Sequence, residues 1–282
     1  MANPILKWAG GKRQIIQEIL NHFPKDYSSR KFHEPMFGAG AITFKIEPKT
    51  GSINDINRRL VNLYRVVKTY PNELIEFNKH HQYNKDYYYN ARNRFNAPIN
   101  GENLDPIEEA SLLVYLNRSC FNGLYRENSK GGFNVPFGRY KSVDFVQEKN
   151  ILNAHEILRN LEIHNEDFSY VCELANPGDL VYFDPPYQPV SLTSSFTSYS
   201  KDAFDFSDQE RLWNTMIRLN DKGVDVVLSN SNAPEVVKLY QKLEGFSISL
   251  ITAKRAINCN GSRRGEVGEL VVTNVPIDNR TH

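Results

Sequence analysis

Short apolar runs, each closed by a polar or glycine-rich signal, recur at 31–36 (K-F-H-E-P-M), 51–55 (G-S-I-N-D), 161–167 (L-E-I-H-N-E-D), 179–184 (D-L-V-Y-F-D) and 224–230 (V-D-V-V-L-S-N). Apolar runs this short, bounded by turn signals, read as buried strands. Between them the period changes. Leu60, Leu63, Val66 and Val67 fall at helical spacing within 56–68, and the stretches 150–161 and 207–219 behave likewise. Ser207, followed three residues later by Glu210, reads as a capping box that opens the last of these. Strands that alternate with helices predict a mostly parallel α/β sheet covered on both faces. The final runs, 246–251 and 269–274, predict paired antiparallel strands at one edge.

The middle of the chain breaks this rhythm. Residues 71–119 read as helical and are rich in Tyr, Asn and charge, and N-G, G-G, V-P and F-G turn signals follow between 122 and 138. The pattern predicts an insertion, helices and then a hairpin-rich loop, between the second and third strands. Residues 1–55 and 145–282 would form the sheet domain and 56–144 the inserted one.

Composition narrows this little. The 282 residues, 40% hydrophobic and 24% charged, suit one large soluble domain carrying an insertion. No run approaches the ~20 apolar residues of a membrane span, and the first residues lack the apolar core of a secretion signal, so a cytoplasmic protein is expected. Cys120, Cys172 and Cys259 are far apart and read as free thiols. No Cys or His spacing matches a zinc site, and no metal is expected. The net charge of +1 makes no case for nucleic acid. Its distribution says more: residues 117–141 carry Arg118, Arg126, Lys130, Arg139 and Lys141 against Glu127 alone, and 254–264 carry Lys254, Arg255, Arg263 and Arg264 with no acid. Segregated charge of this kind can form a basic stripe on a neutral protein.

Three motifs carry candidate chemistry. E-P-M-F-G-A-G-A (34–41) follows a strand, and Gly38 and Gly40 would let backbone approach a ligand. Asp55, at the end of the next strand, could accept hydrogen bonds from both hydroxyls of a ribose. Thr43 stands where a dinucleotide fingerprint needs its third glycine, so a nucleoside without pyrophosphate, such as S-adenosylmethionine, fits better. K-W-A-G-G-K (7–12) fails as a phosphate loop, since Leu6 and Arg13 stand where Gly and Ser or Thr are required. D-P-P-Y (184–187) ends a strand, where ligands of open α/β sheets bind. An exocyclic amine such as adenine N6 is a poor nucleophile because its lone pair is delocalised into the ring. Acceptors at both N–H bonds favour the pyramidal form. Asp184 is one acceptor and the Pro185 carbonyl, held by the fixed φ of Pro185 and Pro186, is the other. Tyr187 offers a face on which a base can stack.

In the order K-W-A-G-G-K, E-P-M-F-G-A-G, N-D, N-G-L-Y-R…F-N-V-P-F-G-R-Y, D-P-P-Y and L-S-N-S, spread from Lys7 to about Asn274, the chain resembles the Dam-type DNA adenine-N6 methyltransferases. The resemblance implies a Rossmann-like S-adenosylmethionine-dependent enzyme with an inserted helical and β-hairpin target-recognition domain. Such an enzyme would act on duplex DNA, within GATC, on an adenine flipped out of the helix. It further implies that Trp8, Lys12, Phe37, Gly38 and Gly40 line the cofactor site with Asp55, that Asp167 and Phe168 flank the cofactor adenine, and that Asp184 contacts both cofactor and target N6. Phe121, Asn122, Leu124 and Arg126 match the base-reading hairpin, with Arg126 on a guanine edge and Phe121 as a wedge. Lys7 would help at the outer G·C pair, and Arg118, Pro136, Arg139, Lys141, Lys254, Arg255, Arg263 and Arg264 join the DNA-contacting set. Ser262–Arg264 would sit in a loop that orders on DNA. The family includes partners of restriction endonucleases. Three alternatives remain at this stage: a nicotinamide-dependent oxidoreductase on a similar fold, an amino-methyltransferase acting on RNA or cytosine N4, and a catalytically inactive DNA-binding module.

Overall fold

The computed structural model describes residues 3–187, 204–254 and 266–281, apart from 9, 11 and 13. Its strands are β1 (Phe32–Glu34), β2 (Gly51–Asn54), β3 (Leu161–His164), β4 (Leu180–Phe183), β5 (Asp225–Ser231), β6 (Ser247–Lys254) and β7 (Glu266–Thr273). Among the described residues they form one seven-stranded sheet in the order β3-β2-β1-β4-β5-β7-β6. The first five run parallel, and β7 lies antiparallel between β5 and β6, so the expected α/β sheet with its antiparallel edge is present.

The helices are α1 (Ile16–Leu20), α2 (Thr43–Ile46), α3 (Arg58–Thr69), α4 (Pro71–Lys79), α5 (Lys85–Asn96), α6 (Pro106–Ser119), α7 (Glu148–Leu158), α8 (Val171–Leu174), α9 (Phe206–Asp221) and α10 (Pro234–Tyr240). The apolar strands are explained by burial on both faces. Leu180 and Tyr182 of β4 pack with Ile19 of α1 and with Phe23 and Ile42. Val181 and Phe183 point the other way, against Cys172 of α8, Leu212 and Met216 of α9 and Val236 of α10. A third cluster runs unbroken from Phe37 and Ile53 through Leu60 and Leu63 of α3 to Leu113 and Tyr115 of α6, Phe133 and Val135. The insertion is thereby packed directly onto the sheet.

Two sequence expectations are corrected. The last long helix, α9, starts two residues earlier than a Ser207 cap requires: Asp205 is the N-cap, accepting from the Ser207 and Asp208 amides, while Asp208 accepts from the Asp205 amide. The carboxylate displaces Ser207 as cap, and the Ser207 hydroxyl itself donates to it at 2.7 Å. The hairpin at 121–138 is not a strand pair. It is reduced to two antiparallel bridges, Cys120–Phe137 and Glu127–Phe133, because its Gly, Pro and Asn content breaks a regular ladder. Side chains hold it instead: Asn128 closes the turn by accepting from the Lys130 and Gly132 amides, and the buried Tyr88 hydroxyl of α5 donates to the Val135 carbonyl at 2.8 Å.

The connection from β3 to β4 passes back over β2 and β1, so the direction of strand addition reverses between β1 and β4. Loops leaving the carboxyl ends of strands diverge at such a point and open a ligand crevice.

Candidate active site

The crevice between the ends of β1 and β4 is a cleft of about 940 Å³, near the upper end of the ~300–1,000 Å³ usual for small-molecule sites. Its lining brings together most of the residues named from the motifs: Trp8, Lys12, Phe37, Gly38, Asp55, Asp167, Phe168 and all four residues of D-P-P-Y. Gly40 does not line it. At Gly40 (φ +70°) an added Cβ would fall 2.3 Å from the Phe37 ring, so this glycine makes room for a neighbouring side chain rather than for a ligand. Gly38 does face the cleft, and its amide donates to Asp55 Oδ2 at 2.9 Å. The other oxygen of Asp55 accepts from the Asn57 amide at 2.9 Å. Burial raises the Asp55 carboxyl above its ordinary value, with these two amides opposing. Each oxygen keeps a lone pair for a further donor.

At the other end of the cleft, Lys12 is 3% exposed and its Nζ lies 2.8 Å from Asp184 Oδ1 and 2.7 Å from Glu269 Oε1. The same ammonium donates to the Tyr187 hydroxyl and sits 4.3 Å from the centre of its ring. Burial alone would lower the lysine, but the carboxylates of Asp184 and Glu269 outweigh it and hold the ammonium above its ordinary value. Burial pushes Asp184 up to about 6 against the opposing pull of Lys12. Ser229 Oγ donates to the same Asp184 oxygen at 3.5 Å and is itself hydrogen-bonded to the Tyr182 hydroxyl at 2.7 Å. Among the described residues, the contacts to Asp184 thus converge on Oδ1. Tyr187 is 37% exposed, whereas Pro185 is buried beneath the corner.

Glu34, the last residue of β1, was not singled out in the sequence. It is buried, and its Oε2 accepts from the Thr43 amide at 3.2 Å and from the Thr43 hydroxyl. Burial pushes it up to about 8, with Thr43 opposing. Its carboxyl occupies the first turn of α2, where a dinucleotide fold would receive pyrophosphate. Asp167 also differs from expectation. It lies beyond β3 as the N-cap of a short 3-10 turn, accepting from Ser169, and its second oxygen takes the Arg211 guanidinium of α9 at 2.6 Å. Arg211 in turn lies over the Phe168 ring at 5.0 Å and completes the wall at that end. Glu269 and Arg211 were missed. An acid opening the otherwise apolar run E-L-V-V (269–272) was the available signal for the first. For Arg211 only its spacing three residues after Asp208, its partner at 2.7 Å, pointed to anything.

The insertion meets the cleft through Trp8, whose ring centre is 4.9 Å from that of Tyr125. Next to it, Phe121 and Leu124 are 51% and 45% exposed, Arg126 is exposed with its Nε on Asn134 Oδ1 at 2.7 Å, and Asn122 adopts φ 55°. Pro136 is exposed and its carbonyl accepts from the Phe121 amide at 2.8 Å. At Gly123 (φ +64°) an added Cβ would lie 2.3 Å from the Lys7 side chain, so the glycine lets Lys7 cross the bridge loop and reach over the Tyr140 ring. Arg139 and Lys141 are exposed on the same segment, and Arg118 donates to the Asp144 carbonyl at 3.2 Å. The Lys254 side chain, Arg255, Ser262, Arg263 and Arg264 lie outside the described residues. Among the described residues no cluster of His, Cys, Asp and Glu is placed to hold a metal ion, and no helix is long and apolar enough to cross a membrane.

Comparison with known proteins gives this geometry its context. The profile of the D12 class of N6 adenine-specific DNA methyltransferases matches residues 8–257. The type II methyltransferase M1.LlaDCHI of Lactococcus lactis subsp. cremoris is 42% identical over 275 residues, covering 96% of this chain and 95% of the relative. The type II methyltransferase M.MjaIII of Methanocaldococcus jannaschii is 41% identical over 289 residues, covering 96% and 98%. A DNA adenine methylase of Serratia marcescens is 35% identical over 276 residues, covering 94% and 96%. The chain belongs to the D12 class of N6 adenine-specific DNA methyltransferases.

Proposed function

We propose that the protein methylates N6 of a flipped-out adenine within GATC in duplex DNA, using S-adenosylmethionine. The observation that carries this reading is the shared cleft: Asp184 and Tyr187 of the proline corner face the same space as Gly38 and Asp55. The lining fits a nucleoside cofactor with a cationic sulfur. Asp55 has lone pairs left for ribose hydroxyls. Asp184 and Glu269 surround a single ammonium, leaving an excess of negative charge for a cation. The turn that would cradle a pyrophosphate is filled by Glu34, which weighs against a nicotinamide dinucleotide.

Bound S-adenosylmethionine supplies an electrophilic methyl carbon. The chain does the rest. Tyr187 stacks on the extruded base, Asp184 accepts from one N–H of N6 and the Pro185 carbonyl from the other. These fixed acceptors stabilise the positive charge that grows on N6, and Asp184 takes up the proton that N6 loses. Phe168 and Asp167 hold the cofactor adenine, with Trp8 and Phe37 toward the bridge loop. Residues 56–144 serve as the target-recognition domain: Arg126 reads a guanine edge, Leu124 and Pro136 contact the neighbouring pair, Phe121 wedges into the gap, and Lys7 reaches the outer pair. A restriction endonuclease that cuts the same site, without a stable complex, is the proposed functional partner, in the cytoplasm.

Expression in a host lacking adenine methylation tests the site. The extracted DNA should resist a nuclease blocked by GATC methylation and be cut by one that requires it. The opposite pattern, with N6-methyladenine present in the DNA, would assign another recognition sequence.

A further inference from the structure

Lys12 stands where the target base has to go. Its ammonium is on Asp184, on the Tyr187 hydroxyl and against the Tyr187 ring at 4.3 Å. A base stacking on that face and donating to Asp184 competes with it for both. The lysine cannot simply leave for solvent, since it is 3% exposed and a buried ammonium needs a partner. Glu269 is the partner available. It lies on β7, paired with Ser231 in register, which carries its side chain to the carboxyl end of β5 beside Ser229. It is 7% exposed, and its Oε1 lies 2.7 Å from Lys12 Nζ but out of line for a hydrogen bond with any described group.

We propose that Glu269 is a positioning residue for methyl transfer: it draws the Lys12 ammonium off Asp184 and Tyr187 when the target adenine enters, clearing the acceptor and the stacking face without leaving a buried charge alone. The poorly aligned Lys12–Glu269 contact is the half of this exchange that can still tighten. As Lys12 shifts, its contact with Glu269 straightens while that with Asp184 lengthens. With Gln at position 269 the ammonium has one carboxylate only and stays on Asp184. This inference rests on Asp184 being the acceptor for N6.

The test compares wild type, Glu269→Gln, Glu269→Asp, Lys12→Met, the double variant Lys12→Met/Glu269→Gln and Asp184→Ala on a GATC duplex. Single-turnover methylation, duplex affinity and the pH dependence of the rate are measured for each. Among the described residues, the ionisable groups facing Lys12 and Asp184 are Glu34 of β1, Tyr182 of β4, Tyr187 and Glu269 of β7. Glu269→Gln should lower the single-turnover rate tenfold or more with duplex affinity changed less than threefold. It should move the acidic limb toward lower pH, because Lys12 then lowers Asp184 unopposed, and Glu269→Asp should recover part of the rate. The double variant should be no slower than Lys12→Met alone, since Glu269 acts through Lys12. If Glu269→Gln folds poorly, Glu269→Asp carries the same comparison, with a reduced rate at unchanged affinity. A wild-type rate in Glu269→Gln, or losses that multiply in the double variant, would overturn the proposal. Activity surviving in Asp184→Ala would instead overturn the assignment of Asp184, which keeps the two failures distinct.

Discussion

In the proposed reaction Asp184 has to remain a hydrogen-bond acceptor while lying 2.8 Å from an ammonium. The balance is set by burial, which pushes it up to about 6, against Lys12, which pulls it down. Protonation leaves Asp184 a single neutral acceptor and no base for the N6 proton, so kcat/KM, which reports the free enzyme, should fall as pH drops through about 6 with a slope of one. A profile flat down to pH 5 would contradict this. Replacing Asp184 by Asn keeps one acceptor oxygen and should leave weak activity, whereas Ala should abolish methylation with duplex affinity intact. Gly123 makes a different kind of prediction. Ala there meets the Lys7 side chain and must adopt φ +64°, at a cost of about 1 kcal/mol. Gly123→Ala should therefore weaken duplex binding more than it slows the bound enzyme, as measured by affinity and single-turnover rate. The proline corner was legible in four consecutive letters. Lys12 was legible as a site residue but its pairing with Glu269 was not, because the two come from opposite ends of the chain and meet only through the placement of β7 beside β5.

Among the elements, the strands of the sheet were legible because each is a short apolar run buried on both faces. Their helices were legible in type and less so at their ends, where caps compete: Asp205 displaced Ser207, and Asn57 starts α3 after Ile56, which stays outside the helix and exposed at the cleft. The hairpin was legible as turns but not as a structure stitched by side chains from α5. One of the groups behind it gives the insertion a pH dependence. His81 lies between the Tyr87 and Ser111 hydroxyls, stacked 4.4 Å from Tyr115, and burial lowers it to about 4. A histidine depressed in the folded state favours folding fully above its unfolded value near 6.5, and that contribution is lost as pH falls toward about 4. Allowing for partial exposure, it is worth about 2 kcal/mol. His22 and His33, also lowered chiefly by burial, act in the same direction. The melting temperature should therefore fall from pH 6.5 to 4.5 in the wild type, and His81→Asn should flatten that slope without abolishing it. An identical slope in the variant would remove His81 from this account. On the bridge loop, Arg126→Ala should cost about 1–3 kcal/mol of discrimination at one G·C pair, measured by competition between duplexes.

For the molecule as a whole, a charge of +1 conceals an uneven surface. Arg126, Arg139 and Lys141 are exposed along one segment beside the cleft, so the affinity for duplex should fall with salt as phosphate-bound cations are released. What the linear pattern could not convey is how the insertion and the sheet share a core: the apolar cluster from Ile53 to Tyr115 makes the two one packed body. The measurement that bears most directly on the central claim is the fate of labelled methyl from S-adenosylmethionine incubated with a GATC duplex and either wild type or Asp184→Ala. The expected result is label in N6-methyladenine with the wild type and none with the variant, at equal duplex affinity. Turnover by Asp184→Ala close to wild type would contradict it.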